Sequence, residues 1–412
     1  MERVILHCDL NNFYASVECK THPAYWEKPL AVGGRVENRH GIILAKNQLA
    51  KGFGVKTGET LWQARAKCPE LVIVPPNFER YLAYSKAARA IYARFTDQIE
   101  PFGMDECWLD VTGSQSLFGE GQLIGDAIRT SIKKELGVTI SVGVSFNKIF
   151  AKLGSDLKKP DAVSTITREN FKSLVWPMEV EALLGVGPAT QKKLHRYGIA
   201  TIGELAEAPE EFMKAILGKN GVLLWHFARG ECDSRVLEQG EEPPMKSVSR
   251  SLTTVKDLES RAAVWQMLLL LGEDVSARLR RDKLEALGVE VHVKSSDFTS
   301  GTYQRRLEFP TRSVKVLAKE AMALFLEKYP WHAPVRAIGI GAYQLQEEGA
   351  PCQLDMAGKV RRALRDEALE ASVDKVRGRY GPLAVTRGSL LASENRQKMG
   401  GEEVFCLPKS TF

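Results

Sequence analysis

Hydrophobic positions along the chain switch between two periods. Residues 3–8 form a short apolar, β-branched run that ends on Asp9 and predicts a buried strand. Residues 15–20 then read as a helix with Asn12 at its N-cap. Residues 29–34 and 41–45 predict two further strands, and residues 61–68 a short helix. Residues 81–95 and 122–136 predict longer helices. In the second, Ile124, Ile128, Ile132 and Leu136 recur at four-residue spacing, which is one helical face. Between them Pro101-Phe102-Gly103 predicts a turn, and the alternating run that follows Asp105 and Glu106 predicts a strand. Residues 138–146 are strand-like again. This order predicts a mixed sheet with helices on one face.

The pattern changes further along. Leu183-Leu184-Gly185-Val186-Gly187-Pro188-Ala189 precedes a helix over residues 190–197, and Thr201 with Glu204 spells a capping box. Glu241-Glu242-Pro243-Pro244 reads as a stiff polar linker. Beyond it come a strand (246–255), a helix (258–284), two strands (287–293 and 302–309), a helix (314–329) and a strand (335–345). Residues 361–380 predict a last helix, stopped by Gly381-Pro382. The fold class is therefore α+β with several domains, and 412 residues suit two to four of them.

Composition narrows the setting. At 44% hydrophobic and 26% charged the chain is ordinary for a globular protein, with no membrane-length stretch and no signal peptide. Its seven cysteines form no Cys-x-x-Cys pair, so neither zinc nor a disulfide framework is indicated, and a cytoplasmic location is expected. Residues 246–352 hold 16 basic against 13 acidic groups, whereas residues 1–245 are balanced at 30 each. A polyanion partner for the later part of the chain is one reading and solubility is the other.

The candidate chemistry lies with Asp9, Asp105 and Glu106. A solvated turn is the ordinary setting for adjacent carboxylates. Neighbouring residues on a regular strand point to opposite faces, so Asp105 and Glu106 can cooperate only at the mouth of a strand. Acids held together repel unless a cation neutralises them, and hard oxygen ligands of this kind suit Mg²⁺. If the strand of Asp9 lies beside that of Asp105, three carboxylates converge as two-metal phosphoryl transfer requires.

Asp9-Leu10-Asn11-Asn12-Phe13-Tyr14-Ala15-Ser16-Val17-Glu18 resembles the opening motif of the Y-family DNA polymerases. Gly103-Met104-Asp105-Glu106-Cys107-Trp108 resembles their second metal motif. Ser141-Val142-Gly143-Val144-Ser145, with Lys148, Lys152 and Lys159, resembles their third. The resemblance runs over residues 1–350 and implies a right-hand polymerase. Residues 1–18 and 76–165 would be its palm, 19–75 its small fingers, 166–240 a helix-hairpin-helix thumb, and 246–352 a β-α-β-β-α-β little finger, with 241–245 the linker and 353–412 a tail.

The resemblance also implies roles. Asp9, Asp105, Glu106 and the Leu10 carbonyl would hold two Mg²⁺, with Mn²⁺ able to substitute. Tyr14 would be a steric gate against ribose, Phe13 would support the nucleotide, and Gln48, Lys51 and Lys159 would meet the triphosphate. Here the chain departs from its relatives, which usually carry Thr-Ala-Asn-Tyr-x-x-Arg. Ala45, Gln48 and Lys51 stand at the hydroxyl, aromatic and guanidinium positions, and a lysine offers a point charge rather than a fork. Gly185, Gly187 and Lys192 would contact the DNA backbone. So would Lys246, Ser247, Ser249, Arg250, Lys294, Arg305, Arg306 and Arg336. Gln353-Leu354-Asp355-Met356 is similar to a sliding-clamp peptide, though Ala357 follows where a Phe is usual.

The partners implied are primer-template DNA, deoxynucleoside triphosphates and the clamp, with a monomeric enzyme and no membrane. Lesion bypass is expected, without proofreading. Two other readings compete: a nucleotidyl cyclase on a similar palm, which would not need residues 166–352, and a DNA-binding protein with a decayed site. Primer extension separates the three.

Overall fold

The computed structural model describes residues 2–34, 41–241, 243–350, 356 and 358–391. They fall into two compact units that divide in sequence between Pro243 and Pro244.

The first unit contains eight strands: β1 (Ile5–Leu10), β2 (Leu30–Gly33), β3 (Ile43–Lys46), β4 (Val72–Val74), β5 (Ile99–Phe102), β6 (Glu106–Asp110), β7 (Ile140–Ser145) and β8 (Val163–Ile166). Five of them make one sheet in the order β5-β6-β1-β7-β8. The β7–β8 pair is parallel and the rest antiparallel, so the sheet is mixed, as the pattern predicts. β1 is wholly buried at its centre because it has covered neighbours on both edges.

Helices cover both faces of this sheet, not one. The helix Gly121–Leu136 lies on the face of Leu6, Val142 and Val144, where Gly121 and Gly125 let it come close. The helix Lys148–Leu157 lies on the opposite face, over Gly143. A Cβ on Gly143 would stand 1.9 Å from the Ala151 carbonyl oxygen, so that approach exists only for glycine. Apolar periodicity reports that each element has a buried side. It carries no record of which sheet face each helix chooses.

A second sheet, β3-β2-β4, is small and packs Leu61 and Ala64 of the helix Leu61–Lys67 against Ala31 and Ile43. Four helices follow later: Pro188–Arg196, Ile202–Glu207, Glu210–Leu217 and Lys219–Ala228. They share a core that includes Leu183, Val186, Leu194, Leu205 and Leu224. The capping box is formed: the Thr201 hydroxyl accepts from the Glu204 N–H at 3.2 Å, and Glu204 Oε2 accepts from the Thr201 N–H at 2.8 Å.

The second unit is one antiparallel sheet in the order β11-β10-β12-β9, from β9 (Ser247–Leu258), β10 (Leu284–Ser295), β11 (Ser300–Thr311) and β12 (Val335–Glu347). The helices Arg261–Arg281 and Val314–Lys328 pack on one face over Val248, Leu252, Val289, Val291, Ile338 and Ile340. The first of these is shorter than the predicted 258–284. Ser260 caps it, and Leu258 and Leu284 belong to the flanking strands. Apolar residues abutting a helix continue its pattern without sharing its backbone.

Candidate active site

β1 lies beside β6 in a register that sets Asp9 opposite Glu106 and Cys8 opposite Cys107. Opposed residues of an antiparallel pair share a face, so Asp9 and Glu106 both point to the side covered by the helix Lys148–Leu157. Asp105 lies just outside β6, in the turn that Gly103 opens at φ +86°. Its carbonyl accepts from the Leu10 N–H at 3.0 Å. The bond joins the two strand ends and brings the third acid to the same rim. The turn lets adjacent acids cooperate, because the pleat has ended there.

Two of the three acids pair with lysines. Lys159 Nζ stands 2.5 Å from Asp9 Oδ2 and 2.6 Å from Asp156 Oδ1. The Lys152 ammonium pairs closely with Glu106. Among the described residues the three carboxylates do not gather within 4.8 Å of one another; only Glu179, Glu181 and His195, all exposed, do so. Asp9 and Glu106 are each paired with an ammonium group, and among the described residues Asp105 has no such ion pair.

Its protonation shows that imbalance. Burial pushes the Asp105 carboxyl up to about 7, with the charges of Asp9 and Glu106 adding to it. Burial also lifts Asp9 above its ordinary range, opposed by Lys159. Burial works the same way on Glu106, but His7 and Lys152 outweigh it and hold that carboxyl at about 2. Burial keeps the His7 imidazole below its ordinary value. His7 Nε2 lies 3.2 Å from Glu106 Oε2, and its Nδ1 is 2.9 Å from the Ser155 hydroxyl. The donor set is hard oxygen with one uncompensated carboxylate, which fits a divalent cation.

Tyr14 is half-buried and held by a second ring that periodicity does not single out. Tyr81 stacks on it at 4.3 Å between centroids with 12° between planes. The Tyr14 hydroxyl donates to Met104 Sδ at 3.4 Å, and Phe78 meets its edge. Tyr81 is fixed in turn, donating to Glu18 Oε1 at 2.7 Å, while Arg80 holds the other oxygen at 2.9 Å. Phe13 is buried beside Tyr14. Asn12 stands at the N-cap in the left-handed conformation, φ 49°, without a side-chain cap bond, a backbone shape asparagine tolerates well.

Gln48 and Lys51 lie exposed on the five-residue helix Gln48–Gly52. Its position is set by Asn47, whose Oδ1 accepts from the Ala50 and Leu30 N–H groups. Gly185 (φ +95°) and Gly187 are exposed ahead of the helix Pro188–Arg196, and Lys192 is exposed on it. In the second unit Lys246, Ser247, Ser249 and Arg306 are exposed, and Lys294 and Arg336 flank Phe298.

Two arginines of that set lie on the other side of the sheet. Arg250 pairs in register with the buried Ile340, on the helix-covered face, where its charge acts on Asp274. Arg305 is opposite the buried Val289 and pairs with Glu327 and, at 3.6 Å, with Glu320 of the helix Val314–Lys328. Strand alternation decides this, since one residue of offset moves a side chain to the opposite face. Of the clamp-like peptide, Gln353, Leu354 and Asp355 lie outside the described residues, and Met356 is exposed.

Comparisons with known proteins match most of the chain. A model of the impB/mucB/samB family matches residues 8–156, and one of that family's C-terminal domain matches residues 245–356. The DNA polymerase IV of Acetivibrio thermocellus is 48% identical over 391 residues, covering 95% of this chain and 98% of that one. DNA polymerase IV 1 of Bacillus subtilis is 34% identical, covering 97% and 95%. A solved Y-family DNA polymerase chimera shares the fold with a TM-score of 0.75 at 22% identity, over 84% of this chain and 100% of that one. The chain thus belongs to the impB/mucB/samB family, on its DNA polymerase IV branch.

Proposed function

We propose that this protein is a DNA-directed DNA polymerase that extends a primer 3′ end with deoxynucleotides and bypasses damaged template without proofreading. The observation that carries the reading is the register of β1 and β6. It sets Asp9 opposite Glu106 and ties Leu10 to Asp105 at one sheet rim.

Asp9, Asp105, Glu106 and the Leu10 carbonyl are the groups that would hold a pair of Mg²⁺ ions, with Mn²⁺ able to substitute. Such ions, when bound, activate the primer hydroxyl and neutralise the leaving pyrophosphate. Asp105 supplies the charge that its neighbours leave uncompensated. Lys152 and Lys159, which pair with Glu106 and Asp9, are ammonium groups of the kind that can turn to a triphosphate when cations take the carboxylates. Lys51 and Gln48 act on the nucleotide from the helix Gln48–Gly52. Tyr14 is the ring that would fill the space a ribose 2′-hydroxyl needs, and Tyr81, stacked on it, backs it. The exposed hydroxyls and cations of the second unit follow phosphates without reading sequence. A monomer in the cytoplasm, held to DNA by a clamp peptide at residues 353–356, completes the proposal.

Primer extension with four deoxynucleotides and Mg²⁺ tests it directly. Template-directed extension that stops on chelation and resumes with added Mg²⁺ is the expected result. A cyclic nucleotide product, or no product from a folded protein, would overturn it. Asp105→Asn is expected to lower the extension rate by about a hundred-fold or more, as loss of a metal-holding carboxylate does.

A further inference from the structure

The hairpin between β10 and β11 presents an aromatic ring to water. Phe298 is 62% exposed and sits at φ +70°, a conformation side chains rarely adopt. The turn around it is tied down. Asp297 Oδ1 accepts from the Thr299 N–H at 2.9 Å and from the Thr299 hydroxyl at 2.8 Å, and the Ser295 hydroxyl closes on the same oxygen. The Ser296 N–H donates to the Pro334 carbonyl at 2.9 Å. Two cations flank the ring: Lys294 Nζ lies 5.1 Å and the Arg336 guanidinium carbon 4.9 Å from its centroid. Holding an apolar ring in water on a strained backbone works against stability, and such strain gathers where a surface is used.

We infer that Lys294, Phe298 and Arg336 form one contact on a nucleic-acid strand, the cations on phosphates and the ring against a sugar or base between them. The inference rests on the polymerase reading. Charge complementarity selects the occupant. Two cations sharing one aromatic platform suit a chain that alternates phosphate with flat, stackable groups. The acid nearest in sequence, Asp297, is engaged by its own turn: three hydrogen bonds, from the Ser295 hydroxyl and from the Thr299 N–H and hydroxyl, together with nearby His332, keep its carboxyl at about 2. The sheet face beside the platform adds hydroxyls: Lys294 and Thr253 both pair with Ala337, and Ser251 pairs with Gly339.

Anisotropy of the full-length protein on two labelled probes, a single-stranded oligonucleotide and a duplex primer-template, tests the contact across a salt series. Phe298→Ala is expected to bind about ten-fold more weakly, as loss of one stacking contact does, with an unchanged slope of log affinity against log salt. Lys294→Gln and Arg336→Gln are each expected to reduce that slope by about 1. Phe298→Trp is expected to restore binding. A loss confined to the single strand assigns the ring to unpaired bases; a loss on both probes assigns it to the backbone of the duplex. Phe298→Ala binding both probes like the wild type overturns the inference, as does a Trp variant as weak as Ala. Should Phe298→Ala melt early, the Arg336→Gln slope and the Trp variant decide. Primer extension by the wild type is read separately, so a polymerase whose DNA affinity ignores Phe298 refutes this contact alone.

Discussion

Tyr14 shows how much of a residue's role lies in its support. Its ring is stacked on Tyr81, and Tyr81 is anchored by Glu18. Tyr14→Ala is expected to raise ribonucleotide incorporation relative to deoxyribonucleotide by about a hundred-fold, the scale of a steric filter in a packed site. Tyr81→Leu removes the stacking partner but leaves the proposed gate, so a smaller rise is expected. The ratio of kcat/KM values for the two nucleotides measures both. Equal discrimination by Tyr14→Ala and the wild type would remove the gate assignment. Lys148 is a different case. It is fully buried and pairs with Glu100, which also accepts from the Leu237 N–H at 3.0 Å. Lys148→Met would strand a buried carboxylate and is expected to cost about 3–5 kcal/mol in denaturant unfolding. Adding Glu100→Gln should recover part of that loss.

At the scale of elements, the helix Lys148–Leu157 ties the rim that carries the three acids to the sheet. It delivers Lys152 to Glu106 and Ser155 to His7 from one face. Gly143 permits its approach. Gly143→Ala would drive a methyl group into the Ala151 carbonyl and the Ser155 N–H. A loss of about 3 kcal/mol is expected, the upper range for overpacking, together with a fall in extension rate as Lys152 moves. A variant as stable and active as the wild type would show that the helix can shift freely. Thr201→Ala, which breaks the capping box of Ile202–Glu207, is expected to cost only about 1 kcal/mol and to leave the rim untouched. The pattern of apolar positions foretold most of these elements. It did not foretell the edge strands β4 and β8, each short and half-covered, whose three- and four-residue runs are too brief to show a period.

For the whole molecule, each unit has a core of its own. A fragment of residues 2–243 is expected to unfold cooperatively and to retain metal-dependent extension at low salt. It should lose affinity steeply as salt rises, because the excess basic residues lie beyond it. Urea unfolding and extension across a salt series check both points, and a fragment that does not fold would show the units to be interdependent.

The sequence by itself determined the local structure and the inventory. Period and capping residues are properties of neighbouring positions, so strands, helices and the Thr201 cap could be read from them. Asp9, Asp105 and Glu106 stood out because each ends or begins an apolar run. Tertiary structure decided which groups meet. That Asp9 faces Glu106, that Lys159 and Lys152 reach those acids, that Tyr81 braces Tyr14, and that Arg250 and Arg305 turn toward helices all depend on strand register and face. Register is fixed by contacts between residues far apart in the chain, and no local pattern records them.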